Sequence, residues 1–229
     1  MRLNVPCWVD TLQPDPGAAA EFYGALFGWV IDEGVARLDG RRVAGLVPAP
    51  PGVPAFWITS VRVEALEPAI ARVTEAGGSL LGQSPEYRTA AVLDPAGVAF
   101  GLREDVGFEA AGVPGAWAMS ALHTPDPEGA LRFYGELFGW QAEGSPLVRW
   151  TLEGEVIAVM TETVEGVPPH WAVNFRVADV DTTIARASEL GGTVLLGPVE
   201  AEGLRNAVIA DPQDGVFAIS ALPGMRAPQ

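Results

Sequence analysis

The sequence predicts an α+β protein of four βαββ modules arranged as two tandem units with curved, cupped mixed sheets. Three observations predict it. The string Phe22-Tyr23-Gly24-Ala25-Leu26-Phe27-Gly28-Trp29 recurs as Phe133-Tyr134-Gly135-Glu136-Leu137-Phe138-Gly139-Trp140, with a single difference. Pro14-Asp15-Pro16 recurs as Pro125-Asp126-Pro127, Gly77-Gly78 as Gly191-Gly192, and Asp94-Pro95 as Asp211-Pro212, always in the same order. Inside each copy, strand-like runs and helix-like spacings alternate twice.

The elements follow in order. A first strand is expected at 6–12 and 117–123. Asp15 and Asp126 are good helix N-caps, each followed by Pro at the first helical position. Phe22 and Leu26, and Tyr23 and Phe27, stand four apart and share a helix face. Gly28 and Gly139 end the helices. Hairpins are expected at 35–47, turning at Asp39-Gly40, and at 148–160, turning at Glu153-Gly154. Pro/Gly-rich connectors (48–54 and 166–169) lead to new strands at 56–63 and 171–177. Helices follow at 66–76 and 180–190, with Gly77 and Gly191 at their left-handed ends. Strands 90–93 with 98–103, and 207–210 with 216–220, are joined by the Asp-Pro turns. This divides the chain into a first unit (1–103), a linker rich in Gly and Ala (104–116) and a second unit (117–229).

Composition narrows the function. Lys and Arg number 14 against 29 Asp and Glu, a formal charge of −15, so phosphate backbones and anionic membrane surfaces are repelled. No apolar run is long enough for a membrane helix, and the start lacks the signature of a signal peptide. The one cysteine, Cys7, cannot form an intrachain disulfide and reads as a small apolar strand residue. The expectation is a cytoplasmic protein.

The Asp-Pro…Phe-Tyr…Leu-Phe-Gly-Trp string and the later Gly-Gly and Asp-Pro…Gly segments resemble the vicinal oxygen chelate superfamily, the glyoxalase/bleomycin-resistance/dioxygenase group. The resemblance covers about residues 5–103 and 116–221, and is nearest to tandem members labelled glyoxalase-like or hydroxylase. It implies a curved sheet in each unit. In the superfamily's enzymes the sheet holds a divalent ion with His, Gln or Glu on the first and last strands of a module. Those positions fall here on Trp8, Met119, Ile58, Ala172, Gly101 and Ala218, none of them a suitable donor. The departure from the family pattern at these positions leads to the expectation of no metal site and no cofactor. It also puts glyoxalase and extradiol dioxygenase chemistry in doubt, since both use the ion as a Lewis acid. The two histidines, His123 and His170, are separated by a helix and a hairpin and read as lone residues at strand ends.

Alternation along the strands puts Trp8, Asp10 and Leu12 on the inner face of the first strand. Met119, Ala121 and His123 share that face in its counterpart, with Ile58, Ser60 and Arg62, and Ala172, Asn174 and Arg176, in the later strands. Small residues leave room, and Trp and Met supply soft polarisable walls. Trp29 and Trp140 belong to the repeated motif and read as packing. The ligand-contact candidates are Trp8, Asp10, Trp57, Met119, His123, Trp150, His170, Trp171 and Asn174, with core packing the default for Trp57 and Trp171. Asp10 and His123 are the candidates for a catalytic base. Arg88 and Arg205, before the final hairpins, either pair with surface acids, the favoured reading, or gate the cavity.

Two function classes follow from these residues taken with the family resemblance, whose relatives accompany antibiotic pathways. One is a metal-free binding protein for a hydrophobic aromatic natural product, such as an anthracycline-like polyketide, acting in self-resistance or carrying the compound to a biosynthetic enzyme. The other is an enzyme: a metal-free isomerase, cyclase or hydratase, or a glyoxalase-like lyase or dioxygenase with unfamiliar ligands. Paired modules within one chain suit a monomer or a weak homodimer.

Overall fold

The structure is a computed structural model that describes residues 2–104 and 107–222. The first repeat runs β1 (Pro6–Gln13), α1 (Pro16–Phe27), β2 (Val30–Asp32), β3 (Val35–Leu38), β4 (Arg41–Pro48), β5 (Phe56–Arg62), α2 (Leu66–Glu75), β6 (Ser79–Ser84), β7 (Thr89–Leu93) and β8 (Ala99–Arg103). The second repeats it: β9 (Trp117–Thr124), α3 (Pro127–Phe138), β10 (Gln141–Glu143), β11 (Val148–Leu152), β12 (Glu155–Glu162), β13 (His170–Arg176), α4 (Val180–Glu189), β14 (Thr193–Ala201), β15 (Leu204–Ala210) and β16 (Val216–Ala221). Each repeat supplies one eight-stranded mixed sheet, ordered β2-β3-β4-β1-β5-β8-β7-β6 and β10-β11-β12-β9-β13-β16-β15-β14. The βαββ modules are present, each extended by a strand that the pattern does not announce. β2 and β10 are three residues long, and the edge strands β6 and β14 are exposed along nearly their whole length. Neither case leaves an apolar alternation to read. Among the described residues no helix is long and apolar enough to cross a membrane.

The local signals act as the chemistry requires. Asp15 accepts from the backbone N–H groups of Gly17 and Ala18 at 3.0 Å, and Asp126 from Gly129 at 2.9 Å. The turns at Asp39-Gly40 and Glu153-Gly154 have positive φ at both residues, as a two-residue hairpin demands. In the Gly-Gly pairs the two glycines have different jobs. Gly77 holds φ 91° at a helix end, whereas a Cβ on Gly78 would meet the Leu93 carbonyl oxygen at 2.5 Å. Arg88 pairs with Glu104, and Arg205 with Asp181 and Glu200, the surface role favoured for them.

The repeats in sequence and the compact units in space divide the chain differently. One unit joins Met1–Trp8, Ile58–Gly107 and Met119–Ala172; the other joins Val9–Trp57, Phe108–Ala118 and Val173–Gln229. Each unit thus combines half of one repeat with half of the other. The linker expected at 104–116, of which residues 105 and 106 lie outside the described residues, is not a loose tether. Phe108 stacks on Trp117 with ring centroids 4.7 Å apart, Ala110 and Ala116 are buried, and the Gly115 carbonyl accepts from the Trp29 indole at 2.7 Å.

Each unit has a core of seven aromatic rings, with neighbouring centroids 5.0–6.4 Å apart. Phe22, Tyr23, Phe27, Trp29, Trp57, Phe175 and Phe217 fill the second unit, and Phe100, Phe133, Tyr134, Phe138, Trp140, Trp150 and Trp171 the first. Six rings correspond by sequence repeat. The seventh is Phe175 in one unit and Trp150 in the other. The repeat counterpart of Trp150 is Ala36, and that of Phe175 is Val61, so large and small exchange places.

A polar link crosses each core. Tyr23 donates to Asp211 at 2.7 Å and accepts from the Trp57 indole at 3.1 Å. Tyr134 donates to Asp94 at 3.1 Å and accepts from the Trp171 indole at 3.0 Å. Burial and the neighbouring carboxylate push both phenols well above their ordinary range, so both stay protonated as donors. Asp211 also accepts from the buried Gln13 at 2.7 Å, a donor for which Asp94 has no equivalent, since the counterpart residue is Thr124.

Tyr134→Phe should cost about 2–3 kcal/mol, because it leaves a buried carboxylate and an indole N–H without their partner. Tyr23→Phe should cost less, since Gln13 still serves Asp211. Urea unfolding of the two variants checks the order. Trp150→Ala should cost about 3–5 kcal/mol through the cavity it leaves. Adding Val61→Phe should restore about 1–3 kcal/mol relative to the sum of the single changes, read as a double-mutant cycle.

Candidate functional site

In both sheets one set of alternating residues faces the helices and is fully buried: Val9, Trp57, Val173, Phe175 and Phe217 in one core, Phe100, Leu122 and Trp171 in the other. The opposite face carries the positions singled out by the ligand argument. There the two repeats differ.

On the first repeat this face is closed by its own side chains. Trp8 is 2% exposed, Ile58 7%, Ser60 4% and Arg62 6%. The Arg103 guanidinium lies over the Trp8 ring, 5.4 Å from its centroid. Arg62 and Arg103 are register partners on β5 and β8, and the chain at Gly107 passes close against Arg62. Asp10, opposite Gly45 on β4, is half-buried.

On the second repeat the face is half open. In the first unit Met119, Ala121, His123 and Ala172 are of intermediate exposure. In the second unit so are Asn174, Arg176 and Ala218. Asn174 accepts from the Ser220 hydroxyl at 2.7 Å, so its amide is held at the end of a short polar pair. Val159 and Thr161 on β12 are register partners of Ala121 and His123 and are likewise half-buried.

The two histidines are not lone residues. The rings of His123 and His170 stack with centroids 4.7 Å apart and planes 3° from parallel. The sequence separates them by a helix and a hairpin, but β9 and β13 are neighbours in the sheet. The Pro168 carbonyl lies 2.9 Å from Nδ1 of His170. A carbonyl only accepts, so in the neutral ring the proton sits on Nδ1 and Nε2 keeps its lone pair. Burial, and next the neighbouring His170, lower His123 to about 4, so its ring is neutral at pH 7.

Three of the predicted contact residues go elsewhere. Trp57 and Trp171 point into the aromatic cores and donate to Tyr23 and Tyr134. Trp150 is fully buried in the core of the first unit, with an indole N–H that finds no acceptor among the described residues. Their packing is stronger than their availability. In the first unit Met119, His123 and His170 stay on the open face and Trp8 lies on the closed one. Asp10 and Asn174 belong to the second unit, and both are half-buried. Thr161 and the histidine stack were missed. The stack has no signal in sequence, because strand adjacency follows from the sheet order.

The donors present do not fit the divalent ion implied by the resemblance. Among the described residues no three His, Cys, Asp or Glu side chains converge. The ring lone pairs of face-to-face imidazoles run parallel, so in this arrangement they cannot meet on one ion at the ~2.0–2.1 Å that a metal–nitrogen bond needs.

The fold defines a tandem βαββ protein. The chain belongs to the Glyoxalase-like domain family, whose profile matches residues 8–103 and 119–220. It is 31% identical to CFP32 of Mycobacterium tuberculosis (strain CDC 1551 / Oshkosh), which bears the name of a glyoxylase, over 95% of each chain. It is 33% identical to the anthracycline biosynthesis protein DauV of Streptomyces sp. (strain C5), over 94% of this chain and 92% of that one. Among solved structures it is similar to a Mn(II)-bound glyoxalase from Novosphingobium aromaticivorans, with TM-score 0.68, 17% identity, and coverage of 96% of this chain and 82% of that one. The 2,3-dioxygenase LapB from Pseudomonas sp. KL28 gives TM-score 0.64 at 15% identity, covering 100% and 96%. At these identities the structural likeness concerns the fold.

The depressed His123 has a consequence for stability. The unfolded ring gains a proton below about pH 6.5 and the folded ring only near pH 4, so stability is complete above 6.5 and falls as pH drops between these values. His123→Leu, the residue found at the equivalent Leu12, removes that loss. The stability of the variant relative to wild type should rise by about 2 kcal/mol from neutral pH to pH ~4, measured by urea unfolding.

Proposed function

We propose that the chain binds a flat, hydrophobic aromatic natural product of the anthracycline or related polyketide type on the open face of the second repeat, and holds or carries it without a metal ion. The observation that carries this reading is the contrast between the two faces. The same scaffold is filled by Trp8 and Ile58 in one repeat, and left half open by Met119 and Ala172 in the other. An apolar, half-exposed surface with a few polar groups is the usual composition of a small-molecule site. The similarity to a protein named for anthracycline biosynthesis supports the ligand class. His123 supports binding over catalysis. A base whose conjugate acid dissociates near pH 4 abstracts protons poorly at neutral pH, whereas a neutral ring makes a good flat contact.

Isothermal titration with a panel of planar hydroxyanthraquinones and naphthacenequinones tests this. We expect saturable binding of one compound per chain, with the compound recovered unchanged by mass spectrometry after prolonged incubation. Met119→Trp, which installs the plugging residue of the first repeat, should weaken binding at least about tenfold, ~1.4 kcal/mol. Failure of every compound to bind would remove the reading, and conversion of a bound compound would replace it with an enzyme.

A further inference from the structure

We propose that His170 is the polar recognition point of this face, with its Nε2 accepting a hydrogen bond from a phenolic or enolic hydroxyl on a planar aromatic ligand, and that His123 positions it. The proposal rests on the binding reading above and adds the chemical group recognised. It starts from the tautomer. The Pro168 carbonyl, 2.9 Å from Nδ1, can only accept, so in the neutral ring it fixes the proton on that nitrogen. Nε2 is then an acceptor, on the side of the ring away from Pro168.

The orientation is fixed as well as the tautomer. The parallel His123 ring, 4.7 Å away at an interplanar angle of 3°, restricts rotation of His170 about its side chain. Two constraints, one hydrogen bond and one stack, hold one acceptor atom in one direction. Preorganisation of this kind gives selectivity, because a ligand lacking the matching donor leaves the acceptor unsatisfied on desolvation. The rest of this part of the face offers little competing polarity. Met119, Ala121 and Ala172 have no side-chain donor or acceptor of comparable strength, and Thr161 is the register partner of His123. An apolar platform with one acceptor of fixed tautomer and direction at its edge fits a polycyclic compound with a free hydroxyl at its periphery. It does not fit a sugar, with many donors, or a carboxylate, which presents only acceptors.

The test compares 2-hydroxyanthraquinone, whose hydroxyl is too far from the quinone oxygen to bond internally, with 2-methoxyanthraquinone, the same ring system without the donor. Wild type should prefer the phenol about tenfold in Kd. His170→Phe keeps an aromatic ring for the stack but has no acceptor; it should bind both compounds alike. His170→Gln, which places an amide oxygen near the Nε2 position, should recover part of the preference. His123→Phe should retain the preference and His123→Ala should reduce it. Thermal unfolding of each variant shows that the fold is kept. Equal binding of the two compounds by wild type, or an intact preference in His170→Phe, overturns the proposal and leaves the binding reading standing. Binding of neither compound, with no other planar aromatic bound, removes both.

Discussion

The hydrogen bond from a buried tyrosine to a buried aspartate is the constraint on which the architecture depends. Tyr23 sits on α1 of the first repeat, and its acceptor Asp211 on the last turn of the second. Tyr134 and Asp94 reverse the arrangement. Each link therefore ties a helix from one repeat to a turn from the other. The aspartates are engaged further: Asp94 accepts from the backbone of Ala96 and Val98, and Asp211 from Gln213 and Gly215. A carboxylate in that position shapes its own turn and anchors the opposite helix at once. Removing either repeat strands one tyrosine and one aspartate in an aromatic interior, which is far more costly than exposing a surface pair.

The exchange of large and small residues in the aromatic cores gives the pairing its direction. With near-identical motifs, each repeat could in principle close on itself. Closing the first repeat on itself would bring Ala36 together with Val61, leaving the seventh ring missing. Closing the second would bring Trp150 together with Phe175, one ring too many. Cross-pairing gives seven rings on both sides. Dense interiors tolerate neither a void nor an excess of this size, so volume complementarity selects the crossed arrangement even where the motif residues are the same.

The sequence carried most of the fold. The repeated Asp-Pro and Phe-Tyr…Gly-Trp strings mark the caps and helices, and period-two alternation marks the faces of β1, β9, β5 and β13. What it could not carry was whatever depends on which elements are neighbours. That Trp57 and Trp171 serve Tyr23 and Tyr134, or that His123 and His170 stack, follows from strand order and from the crossed pairing. Neither is encoded in local periodicity. The edge strands β6 and β14 escaped because no face of theirs is buried. Of the candidate site, alternation located Met119, His123 and Asn174 on the face opposite the helices. It could not tell an open face from a closed one, because that depends on how much volume the neighbouring side chains supply.

That volume is where the repeats have parted. Trp8 and Met119 occupy the same position, as do Ile58 and Ala172. In the first repeat the larger groups fill the face, and a guanidinium lies over the indole. In the second, a thioether and a methyl group occupy the corresponding places and leave the face half exposed. The backbone differs little between the copies, since caps, turns and ring positions recur. Substituting an indole by a thioether and a branched chain by a methyl group is thus enough to separate a filled face from a half-exposed one. The open face keeps some polar groups. They are few, and one of them, the His170 ring, is held by a backbone carbonyl on its edge and by an imidazole on its face. Met119, Ala121 and Ala172, on the same face, carry no nitrogen or oxygen in their side chains.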